Sequence, residues 1–341
     1  MEFYKTIFSG RLEFGTQRSF EKVYNLYLHR VENYYRNSIL LDAEEIFDED
    51  SYCLDIPRKI VQSSEKNWKN TTNMLNYIVQ YAIAGSLRAW RTQEGRLIDE
   101  LFVEPDSEKL ATMAYIKGRK LLSNDGKMED AKTAFDKAIK KFERHAMAYE
   151  RRGKVNMKLN NLDDAVYDYN KSIKINPNAA EPYIGLAKVH YLKGDLTESV
   201  KYFDMATKKC IPHQPIYFKA KRMKGECHMS LKEYDKAMLE FKLFLKRKFN
   251  PGNTNIDWIS NVYSSYGKCL LSLSEAEDAV EAFDNALKNQ NPNSIGCDKT
   301  EALILRGMAR QKAGINGYAT DWKEAAGLGS EKAVELLQLH K

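Results

Sequence analysis

The sequence predicts a mainly α-helical protein: an α-solenoid of stacked helix hairpins with a C-terminal capping helix, preceded by a small α+β domain. Three observations predict it. A pattern of small and aromatic residues recurs six times between Ala131 and Ala326, at intervals of 34 to 42 residues. Prolines close four of these units, at or near Pro177, Pro212, Pro251 and Pro292. The first 105 residues lack the pattern and interleave short apolar runs with polar turns.

Residues 1–105 are expected to form a domain of their own. Ser19 reads as an N-cap for a helix whose Phe20, Val23, Tyr24, Tyr27, Leu28 and Val31 share a face. A second helix is expected from Glu65 to Ala84, with Trp68, Met74, Leu75, Ile78, Val79 and Ala82 as its apolar side. Phe3–Phe8 (extending toward Phe14), Ala43–Phe47, Tyr52–Ile60, Leu87–Arg91 and Leu97–Val103 read as strands, with DEDS and TQEG as hairpin turns. The order strand, helix, two strands, helix, two strands suits a ferredoxin-like sandwich with an added edge strand. FVEPDSEK, residues 102–109, reads as the junction to a second domain over residues 106–341.

The repeat begins beyond that junction. An alanine or serine is followed four residues on by a ring and three further by a small residue, as in Ala131/Phe135/Ala138, Ala165/Tyr169/Ser172 and Ser199/Phe203/Ala206. It continues as Ala237/Phe241/Phe244 and Ala279/Phe283/Ala286, and ends in a degenerate Ala319/Lys323/Ala326. Gly153, Ala187, Gly225, Gly267 and Gly307 each lie twelve residues before the leading residue, and Gly118 lies thirteen before it. Spacings of four and three put side chains on one helix face. The upstream small residue belongs to a preceding helix, and the pair lets two helix axes approach closely, with the ring beside them. A proline after the second helix stops it. The intervals exceed 34 where IPHQP, RKFNPGNTNID and NQNPNSIGCD supply loop composition. After AGLGS a capping helix is expected over residues 330–339.

This spacing of small residue, ring and closing proline resembles the tetratricopeptide repeat family over about residues 111–329. The resemblance implies a right-handed superhelix of helix hairpins and a concave surface lined by the first helix of each hairpin. It implies that positions just after the small residue face that groove. Here those positions hold Arg119, Lys154, Lys188 and Lys268, with Glu226 and Met308 interrupting the series; Arg151 and Arg222 lie two and three residues before their glycines. A basic groove of this kind would favour an acidic segment or a C-terminal carboxylate of a partner protein. Some family members clamp a chaperone's terminal carboxylate with a Lys–Asn pair and, two repeats on, a Lys–Arg pair. The spot for the first pair holds Glu150 and Lys154 in repeat two, which does not support that clamp.

Composition narrows the classes. The chain has 341 residues and a net charge of +6. Its first 105 residues hold 13 basic and 16 acidic residues, so the basic excess lies in the remainder. No signal peptide or membrane-spanning run is read from the sequence, and five widely spaced cysteines without a CxxC fit reduced thiols in a cytoplasm. Phosphate-loop, dinucleotide and hydrolase motifs do not occur. Cys210, His213, Cys227 and His228 offer zinc-type ligands, but adjacent residues of one helix cannot easily face one ion, and no metal or cofactor is expected. The acidic run Asp48, Glu49, Asp50 reads as a turn. A non-enzymatic cytoplasmic scaffold is therefore expected. The alternative is an RNA-binding protein using the runs Lys219–Gly225 and Lys246–Lys248.

Overall fold

The structure, a computed structural model, describes residues 4–212 and 214–340 apart from the side chain at position 125. The chain falls into two compact units, one running to Val189 and one beginning at His190.

The first unit opens with β1 (Tyr4–Glu13), α1 (Gln17–Asn33), α2 (Ala43–Ile46), β2 (Phe47–Asp48), β3 (Cys53–Ser63), α3 (Glu65–Val79), β4 (Ala84–Gln93) and β5 (Arg96–Val103). The strands form one antiparallel sheet in the order β2-β3-β1-β4-β5. Reading from β2 to β4, this is the ferredoxin-like order, and β5 is the added edge strand. Glu94 and Gly95, both at positive φ, make the two-residue turn between β4 and β5. Strand residues Phe8, Leu12, Leu54, Ile56, Leu87 and Ala89 meet Phe20, Val23 and Tyr27 of α1 and Trp68, Met74, Leu75 and Ile78 of α3 in one core. The buried Tyr27 hydroxyl donates to the Leu41 carbonyl at 2.6 Å, so the ring enters the core without an unsatisfied polar atom.

Three local expectations change. The N-cap of α1 is Thr16, whose Oγ1 accepts from the Ser19 amide at 3.2 Å, so Ser19 lies inside the helix rather than at its start. Residues 43–46 are a helical turn, not a strand, because Ala43 and Ile46, three apart, both turn into the core while Glu44 and Glu45 occupy the first turn. Helix α3 stops at Val79, and Ala84 already begins β4. The expected strand start Phe3 lies outside the described residues.

Twelve helices then follow in pairs along the chain, α4 (Leu110–Leu122) with α5 (Met128–Lys141), α6 (Ala146–Lys158) with α7 (Leu162–Ile175), and α8 (Glu181–Leu192) with α9 (Leu196–Lys209). They continue as α10 (Pro215–Ser230) with α11 (Tyr234–Leu245), α12 (Ile259–Ser272) with α13 (Ala276–Lys288), and α14 (Lys299–Lys312) with α15 (Tyr318–Gly327). The cap α16 (Glu331–Leu339) starts at Ser330, whose Oγ accepts from the Ala333 amide at 3.3 Å. Its Ala333, Leu336 and Leu337 pack with Ile304 and Trp322, covering the last hairpin.

Each glycine of the repeat faces a ring. A Cβ built on Gly153 would lie 3.0 Å from the Tyr169 ring, on Gly118 2.7 Å from Phe135, on Gly225 2.6 Å from Phe241 and on Gly267 2.8 Å from Phe283. Tyr169 is enclosed from both sides, because a Cβ on Gly185 of the next first helix would lie 2.3 Å from the same ring. In the last hairpin the ring is Trp322, whose Nε1 would lie 2.3 Å from a Gly307 Cβ. The register there is Tyr318/Trp322/Ala325, one residue earlier than Ala319/Lys323/Ala326. Trp322 and Ala325 are buried and Lys323 is exposed, because the ring follows its glycine by fifteen residues here rather than the sixteen between Gly153 and Tyr169. The bulky Phe244, where other repeats place a small residue, is met by Phe249 of the long loop, which also packs on Phe218.

A second device recurs at alternate repeats. The residue just before the glycine is a cation that joins the acid before its own ring to the acid after the preceding ring. Arg152 reaches Asp168 at 2.6 Å and Asp136 at 2.6 Å; Lys224 reaches Glu240 at 2.7 Å and Asp204 at 2.6 Å; Arg306 reaches Asp321 at 2.6 Å and Asp284 at 2.6 Å. Asp168, Glu240 and Asp321 are buried, so each cation supplies the partner that a desolvated carboxylate requires.

The two glycines around Tyr169 separate fit from helix propensity. Gly153→Ala gains about 1 kcal/mol of helix propensity against a contact that needs only a small shift, and thermal unfolding is expected near wild type. Gly185→Ala overpacks the ring and is expected to destabilise by about 1–2 kcal/mol net in chemical denaturation. Equal midpoints for the two variants would refute the close-approach account.

Candidate functional site

The surface to test is the set of first-helix cations. In the first unit, the N-terminal domain lies against these helices. The Thr112 hydroxyl donates to the Ile83 carbonyl at 2.8 Å, Lys109 Nζ donates to the carbonyls of Tyr81 and Ala82, and Arg144 pairs with Glu13 at 3.5 Å. Arg88 of β4 meets Glu181 at the start of α8 at 3.2 Å, and β4 touches α6. Ile7 and Trp90, on the sheet face away from α1 and α3, are accordingly buried.

Against that background each cation has a place. Arg119 pairs with Glu104, in the junction just after β5, and lies 5.8 Å from the Tyr115 ring centroid. Arg151 Nε is 3.1 Å from Glu150 Oε2. Burial raises the Glu150 carboxyl above the ordinary carboxylate range, while Arg151, Lys154 and Lys188 pull it down. Arg151 thus pairs with one carboxylate, which Lys154 and Lys188 also stabilise through their charge, and Arg119 pairs with another.

In the second unit the cations have separate surroundings. Arg222 is buried, its guanidinium 3.5 Å from the Trp258 ring centroid and paired with Glu226 one turn on. Burial lowers its pKa, opposed by Glu226. Lys268 pairs with Glu301 of α14 at 2.9 Å. Within the basic run Lys219–Gly225, Lys221 and Lys224 both reach Glu240, at 2.9 Å and 2.7 Å. Three cations of that run therefore have carboxylate partners.

The remaining sequence candidates are dispersed. His213 lies outside the described residues. The Cys227 thiol is 3.4 Å from the Ser199 hydroxyl, whereas His228 Nδ1 is 2.6 Å from Glu233 Oε2, so the adjacent pair serves two different neighbours. Among the described residues no group of three or more His, Cys, Asp or Glu is placed to hold a metal ion, and Asp48 accepts from the Ser51 amide in its turn. The five cysteines are free, four of them buried. No helix among the described residues is long and apolar enough to cross a membrane.

Sequence reasoning missed the alternating clamps of Arg152, Lys224 and Arg306. The signal was present as a basic residue before the small residue and acids flanking successive rings, visible once those positions are compared across repeats. It also missed His145, the cap of α6. His145 Nδ1 accepts from the Ala148 amide at 3.2 Å, and its ring lies 4.9 Å from Tyr115.

Comparison with known proteins follows from this geometry. Residues 153–194 match a family model described as the TPR repeat. A TPR repeat-containing protein of Methanocaldococcus jannaschii is 29% identical over 189 residues, 54% of this chain and 31% of that protein. Hsp70-Hsp90 organizing protein 3 of Arabidopsis thaliana is 33% identical over 143 residues, 42% of this chain and 25% of that protein. The chain thus spans about a third or less of the length of these curated relatives. Among solved structures, pilF of Pseudomonas aeruginosa aligns with a TM-score of 0.54 at 16% identity, covering 68% of this chain and 97% of that one. The type IV pilus biogenesis factor PilW aligns at 0.51 and 16%, covering 67% and 98%. At such identity the likeness is one of fold.

The cap at His145 carries a pH dependence. Burial lowers its pKa from 6.5 to about 3, because Nδ1 must keep its lone pair for the Ala148 amide. The unfolded chain binds the proton that the folded chain refuses, so stability is complete above pH 6.5 and falls as pH drops toward 3. Between pH 7 and 5 this group alone is expected to remove about 2 kcal/mol. His145→Asn, which can still cap, should flatten that part of a urea-unfolding pH profile; an unchanged slope would refute the assignment.

Proposed function

We propose, from the premise that this chain is a tetratricopeptide repeat protein, that it is a non-enzymatic protein–protein interaction scaffold whose first-helix surface holds an acidic or C-terminal segment of a partner. Residues 1–105 supply a second contact surface, and residues 106–341 form the repeat array. The cytoplasm is the compartment that fits its reduced thiols.

One observation carries the proposal. Arg151 pairs with the Glu150 carboxylate at 3.1 Å, and the charges of Lys154 and Lys188 also stabilise it, so this part of the first-helix surface already favours a carboxylate. In the first unit Arg119 of α4 is a further such cation; in the second unit Lys268 of α12 is another, and Arg222 stiffens α10 against Trp258. A preformed surface of this kind lowers the ordering cost of binding. Relatives named for organizing Hsp70 and Hsp90 support the scaffold role. The basic run Lys219–Gly225 offers RNA little, since three of its four cations face Glu240, Asp204 and Glu226.

Fluorescence anisotropy with a glutamate-rich peptide ending in a free carboxylate tests this. Lys154→Glu with Lys188→Glu is expected to weaken binding at least tenfold, and amidation of the peptide should weaken it as well. Undiminished affinity in the double variant removes the groove as the site.

A further inference from the structure

The outer face of α1 and α3 holds a cation of a different kind. The Arg30 guanidinium lies 3.7 Å from the ring centroid of Tyr77, 4.7 Å from Tyr34 and 6.0 Å from Tyr35. Its Nε is buried without a hydrogen-bond partner. Arg119, Arg151, Arg222 and Lys268 each pair with a carboxylate, whereas among the described residues the side-chain partners of Arg30 are tyrosines. Tyr77 and Tyr81 share a hydroxyl hydrogen bond of 3.2 Å, and Lys22 Nζ lies 5.9 Å from the Tyr81 ring. Tyr34 is 68% exposed, far more than an aromatic ring needs to be when its role is packing.

Two further features point the same way. From Lys66 to Gln93 the sequence contains no acidic residue, although residues 1–105 as a whole are net acidic. The exposed residues of α3 in that stretch include Asn73 and Asn76, which are hydrogen-bond donors. The chain after α1 then turns back through Arg36 at φ 47 and Asn37 at φ 57, with the Tyr35 amide donating to the Arg30 carbonyl at 3.0 Å. Two successive left-handed residues, one of them an arginine, store strain of order 1 kcal/mol or more, and such strain persists where the surroundings or a function require it. Tyr34, one helical turn after Arg30, and Tyr35 lie over Arg30 just before this turn.

We propose that this tyrosine-lined face around Arg30 is a second docking site, independent of the repeat groove, for a carboxylate-bearing segment of a partner protein. Arginine and tyrosine are the residues that dominate binding energy at protein interfaces, and a guanidinium preordered by stacking loses little freedom when it takes a carboxylate in a forked pair. Carboxylates satisfy the donors that the face leaves unmatched.

A biotinylated hexaglutamate peptide carrying a terminal photo-crosslinker, with its hexaglutamine counterpart as control, tests this on the full-length protein. Mass spectrometry is expected to place adducts within residues 24–36 and 73–81, in the glutamate probe only. Arg30→Gln should reduce those adducts at least tenfold, and Arg30→Lys should reduce them less. Tyr34→Ala removes an exposed ring and leaves the core intact, and it should reduce them several-fold with an unchanged melting temperature. Lys154→Glu with Lys188→Glu should leave them in place, which separates this site from the groove. Adducts confined to the helical repeats, adducts that survive both Arg30→Gln and Tyr34→Ala, an equal yield from hexaglutamine, or displacement by single-stranded RNA but not by free hexaglutamate would each overturn the proposal.

Discussion

The approach of a helix backbone to an aromatic ring is the constraint from which the helical array is built. At Gly118, Gly153, Gly225 and Gly267 the neighbouring ring lies where a side chain would begin. The ring thereby fills the space between two helices that otherwise could not come so close, and the contact area repays the propensity lost at glycine. At Tyr169 and Trp322 the residue before the ring is also turned inward, whereas the acids after Phe135 and Phe283 stay near the surface. Asp168, one residue before Tyr169, and Asp321, one before Trp322, are thus buried carboxylates. The arginines Arg152 and Arg306 then follow as necessities of charge, since an unpaired carboxylate there would be costly. One steric choice thus fixes an electrostatic one.

Much of this was legible from spacing. Residues four and three apart announce helix faces whatever their environment, so the hairpins, their order and the cap at Ser330 could be read directly. The sheet order was legible for a similar reason, because alternation and the Glu94-Gly95 turn leave few ways to arrange the strands. What escaped were outcomes decided by tertiary competition. Ala43–Ile46 has the apolar content of a strand but is a helical turn, because two residues three apart meet the same core. The last ring is Trp322, because the interval from Gly307 to its ring is one residue shorter than that from Gly153 to Tyr169, which moves the register without changing composition. The cations Arg119, Arg151, Lys154, Lys188, Arg222 and Lys268 could be placed on first helices. The partners Glu150 and Glu226 lie beside Arg151 and one turn after Arg222 in sequence, whereas Glu104 and Glu301, the partners of Arg119 and Lys268, belong to other elements and could not be foreseen.

Net charge is a poor guide to surface charge for the same reason. The basic excess of residues 106–341 suggests a basic face, yet Lys221, Lys224 and Arg222 are engaged with acids inside the array. Cations in such positions resist exchange with solvent anions, because moving them leaves a buried carboxylate behind. An external carboxylate competes best where the internal one is itself disfavoured. Glu150 is such a group, since burial raises its pKa even as three cations draw it down.

The same physics distinguishes the face around Arg30. A guanidinium stacked on Tyr77 and Tyr34 is held in place by dispersion and by the ring quadrupole, neither of which neutralises it. It keeps its full attraction for an anion while giving up little freedom on binding. An ion-paired arginine such as Arg119 must first exchange Glu104 for the newcomer, and that exchange nearly cancels. The difference between the two kinds of cation is therefore one of what is displaced on binding. On that ground a net-acidic domain, attached to a basic array, carries the arginine better prepared to meet an acidic partner.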